Sequence, residues 1–309
     1  MREPGRIGHD RVMEHILSSF SANLADLVEH AGHSAVGIEA RHRIGSSGFL
    51  WKPGVIVTTD HSLRRDEDIP VILPTGNRVS AELAGRDPDT DIAVLRAIGA
   101  ETPPLEQAPP SRAGELVLAV GRHAPGVLAA LGIVSTAAGQ WKTWRGGQLD
   151  SLLRLDMGAY PRSSGSMVTD TQGRLVGMLT TGLTRTAPVA IPASTIERVA
   201  TELLSHGRIA RGYLGVGLQP VALPPALSAL LNRDQHSAVI VLSVEPGGGA
   251  DSGGIRLGDI IAEIHGRPVT DIDDLRAALH GLIGTEVPVV VLRGGQRADL
   301  RVTVGGTRN

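Results

Sequence analysis

The sequence contains no cysteine, which excludes disulfides, thiol nucleophiles and cysteine-bound zinc. Aromatic residues make up only 2% of its 309 residues, so any core must be assembled from Val, Leu, Ile and Ala. No apolar run approaches the roughly 20 residues that a membrane helix needs. No basic block offers the phosphate-binding footprint of a nucleic-acid partner. Lys and Arg number 30 against 32 acidic residues, giving a net charge of −2 with both signs interspersed. No His, Asp or Glu cluster has metal-ligand spacing, so no metal or other cofactor is expected. The opening MREPGRIGHDRVMEHILSSF lacks the continuous apolar segment of an export signal, from which a cytoplasmic location is expected.

What is present describes a folded, water-soluble chain: 41% hydrophobic and 20% charged residues, long enough for two domains. From Arg11 to His30, Val12, Ile16, Phe20, Leu24 and Leu27 recur at helical spacing. From Ala35 onward the pattern becomes short apolar strands broken by Gly, Pro, Asp or Ser, among them VIVTT, IAVLRA, LVLAVG, LVGML and VAIP. Many short strands with frequent turns point to an antiparallel sandwich or barrel. The Pro-rich GAETPPLEQAPPSRAG reads as a connector between two strand sets. A helix then follows, with Ser194 and Glu197 spaced as a capping box and an end near Gly207. The last region holds strands, the turn EPGGGADSGG and a helix opened by Thr270 or Asp271. Three regions are thus expected: a helical segment over 1–30, a strand-rich domain over 31–208 and an α+β domain over 209–309.

A serine hydroxyl attacks only when a base takes its proton and an acceptor orients that base. Ser164 lies in YPRSSGSMV, a stretch that otherwise reads as an ordinary turn. Among 11 histidines, His61 stands out because the apolar GVIVTTD delivers it to a strand end. Asp91 stands at the mouth of the strand IAVLR. The order His61, Asp91, Ser164 is that of chymotrypsin-type enzymes.

At these residues the sequence resembles the HtrA (DegP-like) serine proteases. GSSGFLWKPGVIVTTDHSL is similar to the family's segment around its histidine, DPDTDIAVLR to its D-x-x-T-D-I-A-V-L-K, and YPRSSGSMVTDTQGRLVGM to its N-P-G-N-S-G-G-P-L segment. RGYLGVGLQPV and the stretch from Val239 resemble its PDZ domain. The resemblance implies a mainly β fold: a chymotrypsin-like double β-barrel over 31–208 followed by an α+β PDZ domain over 209–309. It implies His61 as base, Asp91 as its orienter and Ser164 as nucleophile, with an oxyanion hole from the backbone N–H groups of Arg162 and Ser164. Val189, Ala190 and Ile191 correspond to part of the primary specificity pocket. No acidic residue stands in TTGLTRTAPVAIPA, so a small or medium aliphatic residue is expected before the cut. Tyr213, Leu214, Gly215 and Val216 correspond to the loop that holds a peptide's terminal carboxylate.

The implied activity is ATP-independent cleavage of unfolded or damaged polypeptides, with hydrophobic C-termini bound at the PDZ domain and assembly as a homotrimer or larger. Arg162 and Ser163 replace the family's Gly-Asn, and Arg in a sparsely populated backbone region costs about 1–3 kcal/mol. The alternative is therefore a catalytically weak or dead scaffold that binds peptides or acts as a chaperone. The family usually works in an envelope compartment, the alternative to the cytoplasm.

Overall fold

The computed structural model describes residues 6–40, 45–100, 106–123, 126–160, 162–209, 212–279 and 281–306, with side chains of the first helix from Glu14 onward. Residues 101–105 of the Pro-rich connector, Pro161 and the side chain of Val12 lie outside that description. The chain divides into two compact units, 1–209 and 210–309.

The first unit opens with helix α1 (Arg6–Gly32), whose Leu24, Leu27 and Val28 pack against the core of the strands that follow. Strands β1 (Ala35–Ile38), β2 (Ser46–Lys52), β3 (Val55–Thr58), β4 (Ile69–Ile72), β5 (Arg78–Asp87) and β6 (Ile92–Ala97) close a barrel in the order β1-β2-β3-β6-β5-β4. Its interior is aliphatic, with Val36, Ile38, Ile56, Ile69 and Leu95 almost wholly out of solvent. Burying such a side chain contributes about 1.5–3 kcal/mol, so aliphatics alone suffice for a core here.

A second barrel follows: β7 (Leu116–His123), β8 (Gly126–Ala138), β11 (Leu152–Asp156), β12 (Met167–Thr169), β13 (Leu175–Thr180) and β14 (Val189–Pro192), ordered β11-β14-β13-β12-β7-β8. A two-stranded hairpin of β9 (Trp141–Lys142) and β10 (Gln148–Leu149) interrupts it. Strands β12, β13 and β14 are buried along their whole length, because both faces are covered; hence their unbroken apolar runs. One core spans both barrels through Phe49, Val57 and Ile92 from the first and Met167, Met178 and Ile191 from the second.

Helix α2 (Ala193–His206) departs from expectation at its start. Its N-cap is Pro192, without a side-chain cap, so Ser194 sits inside the helix and Glu197 instead pairs with Lys52 at 3.0 Å. Strand β14 runs directly into the helix, and the fixed φ of Pro192, −59°, makes the transition with no room for a capping residue. Gly207, at φ 72°, ends the helix where the sequence indicated.

The second unit pairs β15 (Gly212–Tyr213) with β22 (Gly305–Gly306). Its main sheet runs β16 (Val216–Ala222), β17 (Ser237–Val244), β18 (Ile260–Ile264), β20 (Glu286–Arg293) and β21 (Gln296–Thr303), with β19 (Arg267–Pro268) against β18. Short helices α3 (Pro225–Ser228) and α4 (Gly249–Ser252) lie in its loops. Helix α5 (Ile272–Leu279) begins where Asp271 accepts the Asp274 N–H at 2.8 Å, and it packs beside β16. Buried Asp259 receives Nε and Nη2 of Arg293, each at 2.8 Å, and the Arg256 N–H at 2.7 Å. Burial alone would raise its pKa; the Arg293 hydrogen bonds and the Arg256 N–H hold it below the usual carboxylate value.

Candidate active site

His61 lies in a single 3-10 turn, Asp60–Ser62, just beyond the end of β3. Side-chain hydroxyls of Thr59 and Ser62 meet across that turn at 2.6 Å. Asp91 stands immediately before β6, which pairs with β3, so the sheet register brings both residues to the same barrel end. The contact is two-fold. The His61 backbone N–H donates to Asp91 Oδ1 at 2.9 Å, and ring Nδ1 lies 3.0 Å from Oδ1 and 2.8 Å from Oδ2. Asp91 is 1% exposed and the His61 side chain 25%, so the carboxylate is shielded while the imidazole keeps an open side. An ionised carboxylate can only accept, which places the proton on Nδ1 and makes Nε2 the acceptor nitrogen of the ring. Thr180, at the end of β13, donates its hydroxyl to Asp91 Oδ2 at 2.5 Å.

Ser164 reaches this place through the turn before β12. Ser47 of β2 donates its N–H to Ser164 O at 3.0 Å and its hydroxyl to Arg162 O at 3.1 Å, tying the turn to the first barrel. Gly165, at φ 88°, passes so close to β2 that a Cβ there would lie 1.9 Å from Ser47 O; only glycine fits. Arg162 adopts φ 89°, a conformation that favours glycine, and holds it as an arginine. Ser163 donates both its N–H and its hydroxyl to Tyr160 O, at 3.0 and 2.8 Å.

The residues that join these pieces are Thr180, Thr181 and Gly182. Ser164 Oγ lies 3.1 Å from Thr181 Oγ1. On either side, Thr180 binds Asp91, and the Cβ position of Gly182 lies 2.6 Å from His61 Nδ1 and 2.8 Å from Asp91 Oδ2. The structure thus brings His61, Asp91 and Ser164 together around one short strand end. The sequence reading missed this TTG; its signal was a polar triplet closing a wholly apolar strand.

Val189, Ala190 and Ile191 form β14 between β11 and β13 and are 0% exposed. Val189 and Ile191 face the core shared by both barrels, and Ala190 faces the core of the second. Asp60, beside His61, is buried, and its Oδ1 lies 3.4 Å from Arg86 Nε with neither atom hydrogen-bonded. Burial pushes its carboxyl up, nearby Arg86 draws it down, and Asp91 adds repulsion, for a net rise.

In the second unit Leu214 and Gly215 form the turn between Tyr213, which ends β15, and Val216, which starts β16, with Leu214 buried and Gly215 at φ 79°. Leu214 O accepts from Ala250 and Gly215 O from Glu245, both at 2.8 Å. The Tyr213 phenol is pushed up, first by burial and then by the neighbouring Glu245 carboxylate. Among the described residues no cluster suited to a metal ion occurs, and no helix is long and apolar enough to cross a membrane.

Comparison with known proteins matches residues 46–178 to the trypsin-like peptidase domain family and residues 212–304 to the PDZ domain family. A probable periplasmic serine endoprotease, DegP-like, from Ectopseudomonas mendocina is 30% identical over 280 residues, covering 85% of this chain and 56% of the relative. One of the same description from Halomonas elongata is 30% identical over 291 residues, covering 89% and 58%. The chain thus spans a little over half the length of these curated relatives. Among solved structures, the HtrA-type protease AlgW with decapeptide superimposes with a TM-score of 0.70 at 25% identity, covering 92% of this chain and 99% of that one. The serine endoprotease from Yersinia pestis gives 0.70 at 27% identity, covering 91% and 97%. These relatives correct the expected cytoplasmic location. Their names specify the periplasm, and the apolar content of the first twenty residues is no guide to compartment.

Proposed function

The chain belongs to the HtrA family of trypsin-like serine proteases with a PDZ domain, and from that membership we propose that it is an ATP-independent serine endopeptidase of unfolded or damaged polypeptides. The observation that carries this reading is the imidazole of His61 fixed on buried Asp91, beside the strand end whose Thr181 meets Ser164.

In the proposed reaction Ser164 Oγ attacks the scissile carbonyl while its proton passes to His61 Nε2. Asp91 holds the ring and stabilises the imidazolium; it keeps no proton itself. The tetrahedral oxyanion is held by the N–H groups of Arg162 and Ser164. His61 then returns the proton to the leaving amine, and water releases the acyl group by the same steps. Since Ser164 must donate to His61, Thr181 must act as donor in its bond to Ser164. Its hydroxyl then supports the oxygen without competing for the proton.

Val189, Ala190 and Ile191, wholly buried in the barrel cores, lie behind rather than line the proposed pocket for a small or medium aliphatic residue. Arg162, held in a strained conformation, moderates the rate. In the second unit, the amides of Tyr213 to Val216 receive the terminal carboxylate of a peptide with a hydrophobic C-terminus. The proposed assembly is a homotrimer or larger, and a single monomeric mass at every concentration in light scattering would count against it.

Digestion of casein by the chain and by Ser164→Ala tests the central claim. Loss of the nucleophile lowers kcat by about a million-fold where such sites have been dissected, so the variant should fall to the assay floor. Equal cleavage by both proteins overturns the proposal.

A further inference from the structure

The second unit ends its sheet in β16, which pairs with β17 on one side only; among the described residues no strand pairs with its other edge. Which backbone groups face that edge follows from two hydrogen bonds that bracket the strand. Glu245 N–H donates to Gly215 O, and Leu223 N–H donates to His236 O, each at 2.8 Å. Residues 215 and 223 therefore turn their backbone groups toward β17. In an antiparallel pair this alternates. Residues 217, 219 and 221 do the same, while Val216, Leu218, Pro220 and Ala222 face the open edge. The register break near Gly217 places its extra residue, Leu242, on β17, so the alternation along β16 survives it. Pro220 agrees independently, since a proline in a sheet turns its missing N–H away from the partner strand.

The open edge thus offers N–H and C=O from Val216, N–H and C=O from Leu218, and then only C=O from Pro220. Val216 and Leu218 also pack against the core that includes Leu275 and Leu279 of α5, so the wall beside this edge is apolar. We propose that Pro220 stops strand addition after two rungs, confining recognition to the last three residues of an apolar C-terminus. This rests on the reading of the second unit as a binder of peptide C-termini. With the carboxylate at the turn before Val216, the third residue from the end lies opposite Leu218 and exchanges two hydrogen bonds. The fifth from the end lies opposite Pro220, where its carbonyl meets no donor.

The test uses the 309-residue chain carrying Ser164→Ala, so that peptides survive, and labelled peptides of three and eight residues sharing one apolar C-terminal tripeptide. Fluorescence anisotropy should give Kd values for the two peptides within about threefold of each other, because the octapeptide gains no further complete rung. Adding Pro220→Ala restores the donor and should tighten the octapeptide about threefold to tenfold, with the tripeptide unchanged. A wild-type ratio above that range, or a ratio that Pro220→Ala fails to raise, overturns the proposal. If neither peptide binds, or C-terminally amidated peptides bind as well as free ones, C-terminal recognition itself fails and the length limit goes with it. Where Pro220→Ala unfolds, an octapeptide N-methylated at its third residue from the end serves instead. It should lose binding, because its bond to Leu218 O is gone; undiminished binding would place the ladder elsewhere.

Discussion

Each unit buries an aspartate beside an arginine, and the two pairs are built differently. Asp259 and Arg293 meet through two hydrogen bonds of 2.8 Å, with the Arg256 N–H filling a further site on the carboxylate. Asp60 and Arg86 approach only to 3.4 Å, and neither facing atom has a hydrogen bond. One carboxyl is held below its ordinary value and the other pushed above it. The well-made pair lies in the second unit, outside the turn and strand edge proposed to take a peptide. The poor one flanks His61, in the same unit that holds Arg162 at φ 89° and Asp91 at φ 60°. Asp68, Asn232 and His265 also adopt positive φ, so such backbone is not confined to the candidate site; there it coincides with a poorly made ion pair.

The contrast can be broken most forcefully by removing the arginines. Arg293→Met leaves a buried carboxylate unmatched and should cost the second unit about 3–5 kcal/mol. Arg86→Met should cost the first about 1 kcal/mol or less, because that pair is already poor and Asp60 can keep its proton. Hydrogen exchange resolved by unit measures both, and equal losses would erase the distinction. Next in size, Gly182→Ala should lower kcat/KM by about a hundredfold or more, since displacement on the scale of an ångström costs that much. Its Cβ would enter within 2.6 Å of His61 Nδ1. Unchanged casein turnover would detach the poor geometry from the chemistry.

Arg162→Gly sharpens the contrast from the opposite direction. Relief of about 1–3 kcal/mol of backbone strain is partly offset by roughly 0.5–1 kcal/mol of added chain entropy, so kcat/KM should rise by up to about seventyfold. A fall would show that the arginine side chain itself contributes. The smallest effect is in pH. Asp259, with its folded pKa depressed, adds stability that is present above 3.8 and lost as pH falls through the folded value. Asp60, with its folded pKa raised, does the reverse: its contribution is present below 3.8 and lost as pH climbs through the folded value. The difference between each unit's exchange protection and that of its Asn variant, Asp60→Asn or Asp259→Asn, should therefore slope oppositely with pH. Parallel slopes would refute the assignment.

Much of the fold was legible because short apolar runs between turn residues read as strands: LVGML and VAIP are β13 and β14, buried along their whole length. His61 and Asp91 were legible for a related reason, since each stands where an apolar run stops. Thr181 and Gly182 were not, because a threonine and a glycine after a strand look like any turn, and their importance lies in what they approach across the molecule. The Ser194 capping box failed because local spacing cannot reveal that a strand feeds straight into the helix. The pairing of Asp60 was invisible too, as Arg86 is 26 positions away and meets it only when β5 folds over.

Asp91 grips His61 at two points, main chain and ring, while Thr180 occupies a further place on the same carboxylate. Where the imidazole is rooted and which way it faces are therefore both tied to this one side chain. One added methylene, as in glutamate, could not satisfy both grips at once. Surface loops can be rewritten around such an anchor without re-aiming the ring, but the anchor itself has no near substitute.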